Sequence, residues 1–123
     1  MIREVINELN ISNEALIFSS ASDAFQFLKT TIKQPFIIVC DINMPLVNGF
    51  DFKKQVDSDP QLRQKSIPFI FFSTAANKQV VTKAYTEMTV QGFFQKPSNI
   101  EGIKKTLFVI NEYWKLCKHP NSE

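Results

Sequence analysis

Two short runs, "PFIIVC" (35–40) and "PFIFFS" (68–73), are almost wholly apolar and rich in β-branched and aromatic residues. A half-buried strand alternates apolar with polar residues, and these runs do not. They are what strands covered on both faces of a parallel sheet require. The stretches between them have helical spacing instead. "SDAFQFLKTT" places Ala24 and Leu28 on one face, with Ser22 or Asp23 positioned to cap the helix. A helix is predicted from Gly49 to about Asp57, stopped by "DSDP" because the residue before a proline leaves the helical region. "NKQVVTKAYTEM" turns Val80, Val81, Ala84 and Met88 inward, and the last helix carries Ile103, Leu107, Ile110 and Trp114 along one stripe. Ile2, Val5, Ile6 and Leu9 open the chain in a helix, and "ALIFSS" and "GFFQ" read as further short strands. Strands alternating with helices specify a parallel α/β sheet with right-handed crossovers.

The chain has 123 residues, enough for one domain with a proper core, here read as 1–118 followed by a polar tail at 119–123. A net charge of +2 argues against a nucleic-acid or anionic-membrane partner. No apolar run approaches the ~20 residues of a membrane span, and the N-terminus is no signal peptide, so the cytoplasm is the expected location. Cys40 and Cys117 make no disulfide framework, and Cys40 reads as a buried reduced thiol. His119 and the pair Glu4 and Glu8 read as solvated.

Ligands of open parallel sheets bind beyond the carboxyl ends of the strands. Asp41 ends one predicted strand, Ser73 the next, and Lys96 the third, so an acid, a hydroxyl and an amine converge on one sheet edge. A carboxylate there can be a nucleophile or a metal ligand, while a lysine and a hydroxyl can hold anionic oxygens. Together they describe a pocket in which a carboxylate accepts a phosphoryl group and the new charge is neutralised. Pro45 and Asn48-Gly49 read as a turn that keeps the loop clear of the acid.

"DINMPLVNGF", "IPFIFFSTA" and "GFFQKP" resemble, in order and spacing, the three signature blocks of response-regulator receiver domains. The resemblance implies a flavodoxin-like (CheY-like) doubly wound parallel sheet of order 2-1-3-4-5. It implies a single-domain response regulator of a two-component phosphorelay, which is not an enzyme. Asp41 would be the phosphoacceptor of a sensor histidine kinase, and Asp41 together with the backbone carbonyl of Asn43 would bind Mg²⁺. Ser73 would be the switch hydroxyl, Lys96 the phosphate-pairing lysine, and Phe93 the switch aromatic, without the hydroxyl of the more familiar tyrosine. The Lys96–Pro97 bond would be cis. Output would pass to a downstream protein through the face made by "NKQVVTKAYTEM", "GFFQ" and the final helix.

The sequence departs from the family's pattern in one block. Receivers begin with a strand ending in a pair of acids that complete the Mg²⁺ site, yet the acids before Asp41 are Glu4, Glu8, Glu14 and Asp23. The fold is therefore expected to lack its first strand, which in that order lies between "ALIFSS" and "FIIVCD". Losing some five buried side chains at ~1.5–3 kcal/mol each forfeits on the order of 10 kcal/mol, against a typical net stability of about 5–15 kcal/mol. Truncation at the N-terminus is one account; a different strand pairing, a homodimer or strand exchange filling the gap is the other. Mg²⁺ binding and phosphorylation are expected to be weak. Two other functions compete: a phosphorylation-independent pseudo-receiver, and a phosphatase with an aspartyl nucleophile, which Asn43 opposes because such enzymes carry a second acid there. Thr89 stands where many receivers have a helix-ending glycine.

Overall fold

β2 (Phe69–Ser73) is buried at all five positions, and the rest of the sheet is assembled on it. In the computed structural model, which describes residues 16–32, 35–43 and 48–118, β2 lies between β1 (Ile38–Cys40) and β3 (Gly92–Gln95) in a three-stranded parallel sheet. The registers Cys40↔Phe71 and Phe71↔Phe93 align one face across all three strands. Among the described residues the helices are α1 (Ala21–Thr30), α2 (Gly49–Ser58), α3 (Pro60–Lys65), α4 (Lys78–Thr86) and α5 (Ile100–Leu116). The chain forms two compact units, one of Phe18–Gln95 and one of Met1–Ile17 with Lys96–Glu123.

In the first unit, Ile38, Cys40, Phe69, Phe71 and Phe93 share a core with Leu28 of α1, Phe50, Phe52 and Val56 of α2, Leu62 of α3 and Ala84 of α4. Burying each large apolar side chain stabilises by roughly 1.5–3 kcal/mol. Phe52 meets Phe69 at 6.0 Å between ring centroids. Lys53 is buried among them: its stem lies against the core, its ammonium sits 5.2 Å from the Phe69 centroid, and both Asp57 carboxylate oxygens accept from it at 2.7 and 2.8 Å. A buried lysine is tolerable only with such partners.

Side-chain caps set the helix boundaries. Ser20, and not Ser22 or Asp23, caps α1 by accepting the Asp23 N–H. Asn77 caps α4 through the Val80 N–H and Asn99 caps α5 through the Gly102 N–H. Asp59 ends α2 and also starts α3, a helix not among the expected elements: its carboxylate accepts from Gln61 and Leu62 N–H groups, with Pro60 in the first turn. Two lysines join α1 to α3. Lys29 donates to Asp59 at 2.7 Å, and Lys65 donates to the Leu28 carbonyl near the end of α1 at 2.8 Å.

Three expectations are corrected. "ALIFSS" is not a strand where described: Leu16–Phe18 are irregular and Ser19–Ser20 form a bend. A strand exists only through a ladder, and in the expected order this one has a neighbour only in the strand missing from the sequence pattern. "PFIIVC" is not covered on both faces either. Its strand is three residues long, and Val39 is 39% exposed. The "NKQVVTKAYTEM" helix stops at Thr86, with Met88 buried beyond it. The expected opening helix, Pro45, His119 and the tail at 119–123 lie outside the described residues. In the second unit, α5 buries Ile103 and Ile110 of its predicted stripe, and leaves Val109, Tyr113 and Leu116 exposed.

Thr89, after α4, has φ of 49°, a left-handed conformation that is costly for a β-branched residue. Thr89→Gly should stabilise the chain by about 0.5–1 kcal/mol, the relief of strain exceeding the entropy that glycine loses. A higher denaturant midpoint at unchanged slope is the expected result.

Asp59 supplies a pH test. The Lys29 ammonium, then the Leu62 and Gln61 N–H groups, hold its carboxyl below the usual carboxylate value. Its folded pKa thus lies below the unfolded one, so its contribution is complete above pH about 4 and is lost as pH falls through the folded value. Compared with Asp59→Asn across pH by denaturant titration, the wild type should be the more stable near neutrality, with the difference closing in acid.

Candidate functional site

The carboxyl ends of β1 and β2 lie side by side, because Cys40 pairs with Phe71 and both strands run the same way. Asp41 is the first residue beyond β1 and is half-buried. Its Oδ1 accepts the Asn43 backbone N–H at 3.1 Å, so the loop that follows orients the carboxylate. It is the Asn43 N–H, not the carbonyl expected to meet a metal, that this contact uses. Ser73 ends β2 with no exposed surface, and its Oγ accepts the Ala75 N–H at 3.2 Å. Cys40, beneath the acid, donates its thiol to the Asp41 carbonyl at 3.2 Å. Burial, then the neighbouring Asp41 charge, push this thiol up to about 12, so it is a protonated packing group.

The loop returns through Gly49. Its N–H donates to the Ile42 carbonyl at 2.7 Å. A Cβ there would stand 2.6 Å from the Asp41 carbonyl oxygen, 2.8 Å from Ile42 Cα and 3.1 Å from Phe71 Cε1. Asn48-Gly49 is thus no positive-φ turn. Asn48 caps α2 by accepting the Asp51 N–H, and Gly49 is needed for close approach. The signal was in the sequence, since Asn before a helical stretch is a cap.

Phe93 packs its ring on Phe71, 5.9 Å between centroids, and its N–H donates to the hydroxyl of Tyr85 on α4 at 3.0 Å. Nothing in sequence spacing marked Tyr85, because a contact from a helix side chain to a strand backbone has no period. Lys96 follows β3 directly and begins the second unit. Its bond to Pro97 is trans, which corrects the cis expectation. Trans is intrinsically favoured by about 0.5–1 kcal/mol, and in this form Pro97 abuts the first turn of α5, where a Cβ on Gly102 would lie 2.6 Å from Pro97 Cβ.

Mg²⁺ prefers six oxygens in near-octahedral geometry. Among the described residues no three Asp, Glu, His or Cys side chains gather to hold a metal ion. Asp41 supplies one carboxylate, already engaged by Asn43. The described residues alone do not fit a Mg²⁺ site.

The chain matches the response regulator receiver domain family over residues 1–108, and it belongs to that family. Response regulator Rcp1 of Synechocystis sp. is 25% identical over 119 residues, which span 93% of this chain and 79% of that protein. Chemotaxis protein CheY1 of Helicobacter pylori is 35% identical over 74 residues, 60% of this chain and 57% of that protein. Among solved structures, the phosphorylated cyanobacterial phytochrome response regulator RcpA matches with a TM-score of 0.85 at 23% identity, covering 98% of this chain and 90% of that one. The receiver fold expected from the motifs is therefore the fold of the chain. Receiver domains are in general non-enzymatic signalling domains of two-component systems, and they typically bind Mg²⁺. No described helix is long and apolar enough to cross a membrane.

Gly49→Ala should destabilise the chain by about 1–3 kcal/mol, since the added methyl meets backbone on two sides. In an amide spectrum the displaced resonances should centre on Asp41, Ile42 and Asn43, and spare α1.

Proposed function

We propose that this receiver domain, a single domain over 1–118, accepts a phosphoryl group on Asp41 from the phosphohistidine of a sensor kinase and signals through a protein partner. The observation that carries the reading is the oriented Asp41 carboxylate beyond β1, beside the end of β2 where Ser73 stands. A carboxylate oxygen attacks phosphorus, the P–O bond forms as the P–N bond breaks, and the bonding pair returns to the imidazole. Ser73 donates its hydroxyl hydrogen to a phosphoryl oxygen. Because it is fully buried, it does so only after the 73–75 segment shifts. Lys96 is assigned to the phosphoryl charge, and Phe93 to the switch, on their match to "GFFQKP". The partner reads α4 and β3.

The small donor set among the described residues supports a further part of the reading: this chain takes up Mg²⁺ weakly and is phosphorylated slowly. It also favours the runner-up, a pseudo-receiver acting without phosphate. Intact mass after incubation with acetyl phosphate and Mg²⁺, beside Asp41→Asn, separates the two. A single phosphoryl adduct, absent from the variant and slow to form unless Mg²⁺ is in large excess, is expected. Rapid labelling at low Mg²⁺ would contradict the weak metal site. Absence of any adduct would remove the phosphoacceptor role and leave the pseudo-receiver.

A further inference from the structure

One helix touches both ends of a three-ring stack. The rings of Phe50 and Phe71 meet edge to face at 5.3 Å, and those of Phe71 and Phe93 at 5.9 Å. The stack starts at the loop carrying Asp41: Gly49, next to Phe50, leaves no room for a Cβ between the Asp41 carbonyl and the Phe71 ring. It finishes at β3, the edge strand among the described residues. From α4, the Lys83 ammonium stands 4.6 Å from the Phe50 centroid, and two residues on the Tyr85 hydroxyl accepts the Phe93 N–H at 3.0 Å. The Asp41 loop, the sheet and α4 therefore form a closed circuit of contacts. Three aromatic side chains carry it through the core, and a cation and a hydroxyl close it.

We propose that Tyr85 is a positioning residue that couples α4 to the Asp41 loop. With Lys83 seated on Phe50, the hydroxyl holds the Phe93 N–H. When the Asp41 backbone shifts, Gly49 and Phe71 move with it, α4 loses its seat on Phe50, and the Phe93 N–H is released at the sheet edge. Packed rings have few alternative arrangements, so a small displacement becomes a bond made or broken. The released group is a backbone donor on an edge strand, which a partner can use. The functional meaning of the switch rests on the reading of Asp41 as phosphoacceptor.

Spatial adjacency is not coupling, so the test measures coupling directly. Hydrogen exchange of the Phe93 amide is followed by NMR in the wild type, Tyr85→Phe, Lys83→Met and the double variant. Tyr85→Phe removes only an oxygen from a half-exposed ring, and should speed Phe93 exchange about fivefold while the Phe94 amide is unchanged. Lys83→Met keeps the stem and removes the charge over Phe50. It should speed Phe93 exchange about twofold to fivefold in the wild type, and have no further effect once the hydroxyl is gone. An unchanged Phe93 rate in Tyr85→Phe, or a Lys83→Met effect of equal size with and without the hydroxyl, would overturn the proposal. No phosphodonor is present in any arm. The circuit therefore stands or falls independently of the phosphorylation experiment, whose failure counts against the role of Asp41 alone.

Discussion

Phe71 has no exposed surface, and the geometry of the first unit follows from how that ring is enclosed. Phe50 and Phe69 meet it edge to face and Phe93 at a tilt, while its backbone sits in the middle strand. Side chains alternate faces along a strand, so a slip of one residue would move the ring to the other face and lose its contacts with Phe50 and Phe93. That sensitivity fixes the register of β1 against β2. The register in turn places Asp41 beside the end of β2. The acid is thus located by a hydrophobic constraint several residues away from it.

The charges in this unit divide by use. Lys53 pairs with Asp57 within α2, while Lys29 with Asp59 and Lys65 with the carbonyl end of α1 tie α1 to α3. Cys40 is a reactive residue type made inert by burial, and its contact with the Asp41 carbonyl is a packing contact. Asp41 stands apart. Its carboxylate lies beyond the end of β1, and the Asn43 backbone N–H beside it aims it. A carboxylate placed this way at the mouth of a parallel sheet is chemically disposed to accept an electrophile or a cation.

Legibility depended on the range of the deciding interaction. Asn48, Asn77 and Asn99 each stand one residue before a helix, and their caps can be read from neighbours three positions away. The Asp59-Pro60 start of α3 carries the same signal, although a proline there also ends the preceding helix. Leu16–Phe18 look like a strand by composition, but strand formation depends on a partner that local sequence does not supply. Val39 is as apolar as its neighbours, and its exposure reflects what covers that face rather than the residue. Pro97 carried a family expectation that its own backbone does not follow.

By itself the sequence determined the alternation of strands and helices, the burial of β2 and the position of Asp41, because periodicity, capping and strand ends are encoded within a few residues. Only the tertiary structure decided that Gly49 serves close approach, that Lys53 is buried with a partner, and that Tyr85 reaches the backbone of Phe93. Those outcomes depend on which surfaces meet when distant segments pack, and packing is set by shape and volume across the whole core, not by any spacing along the chain.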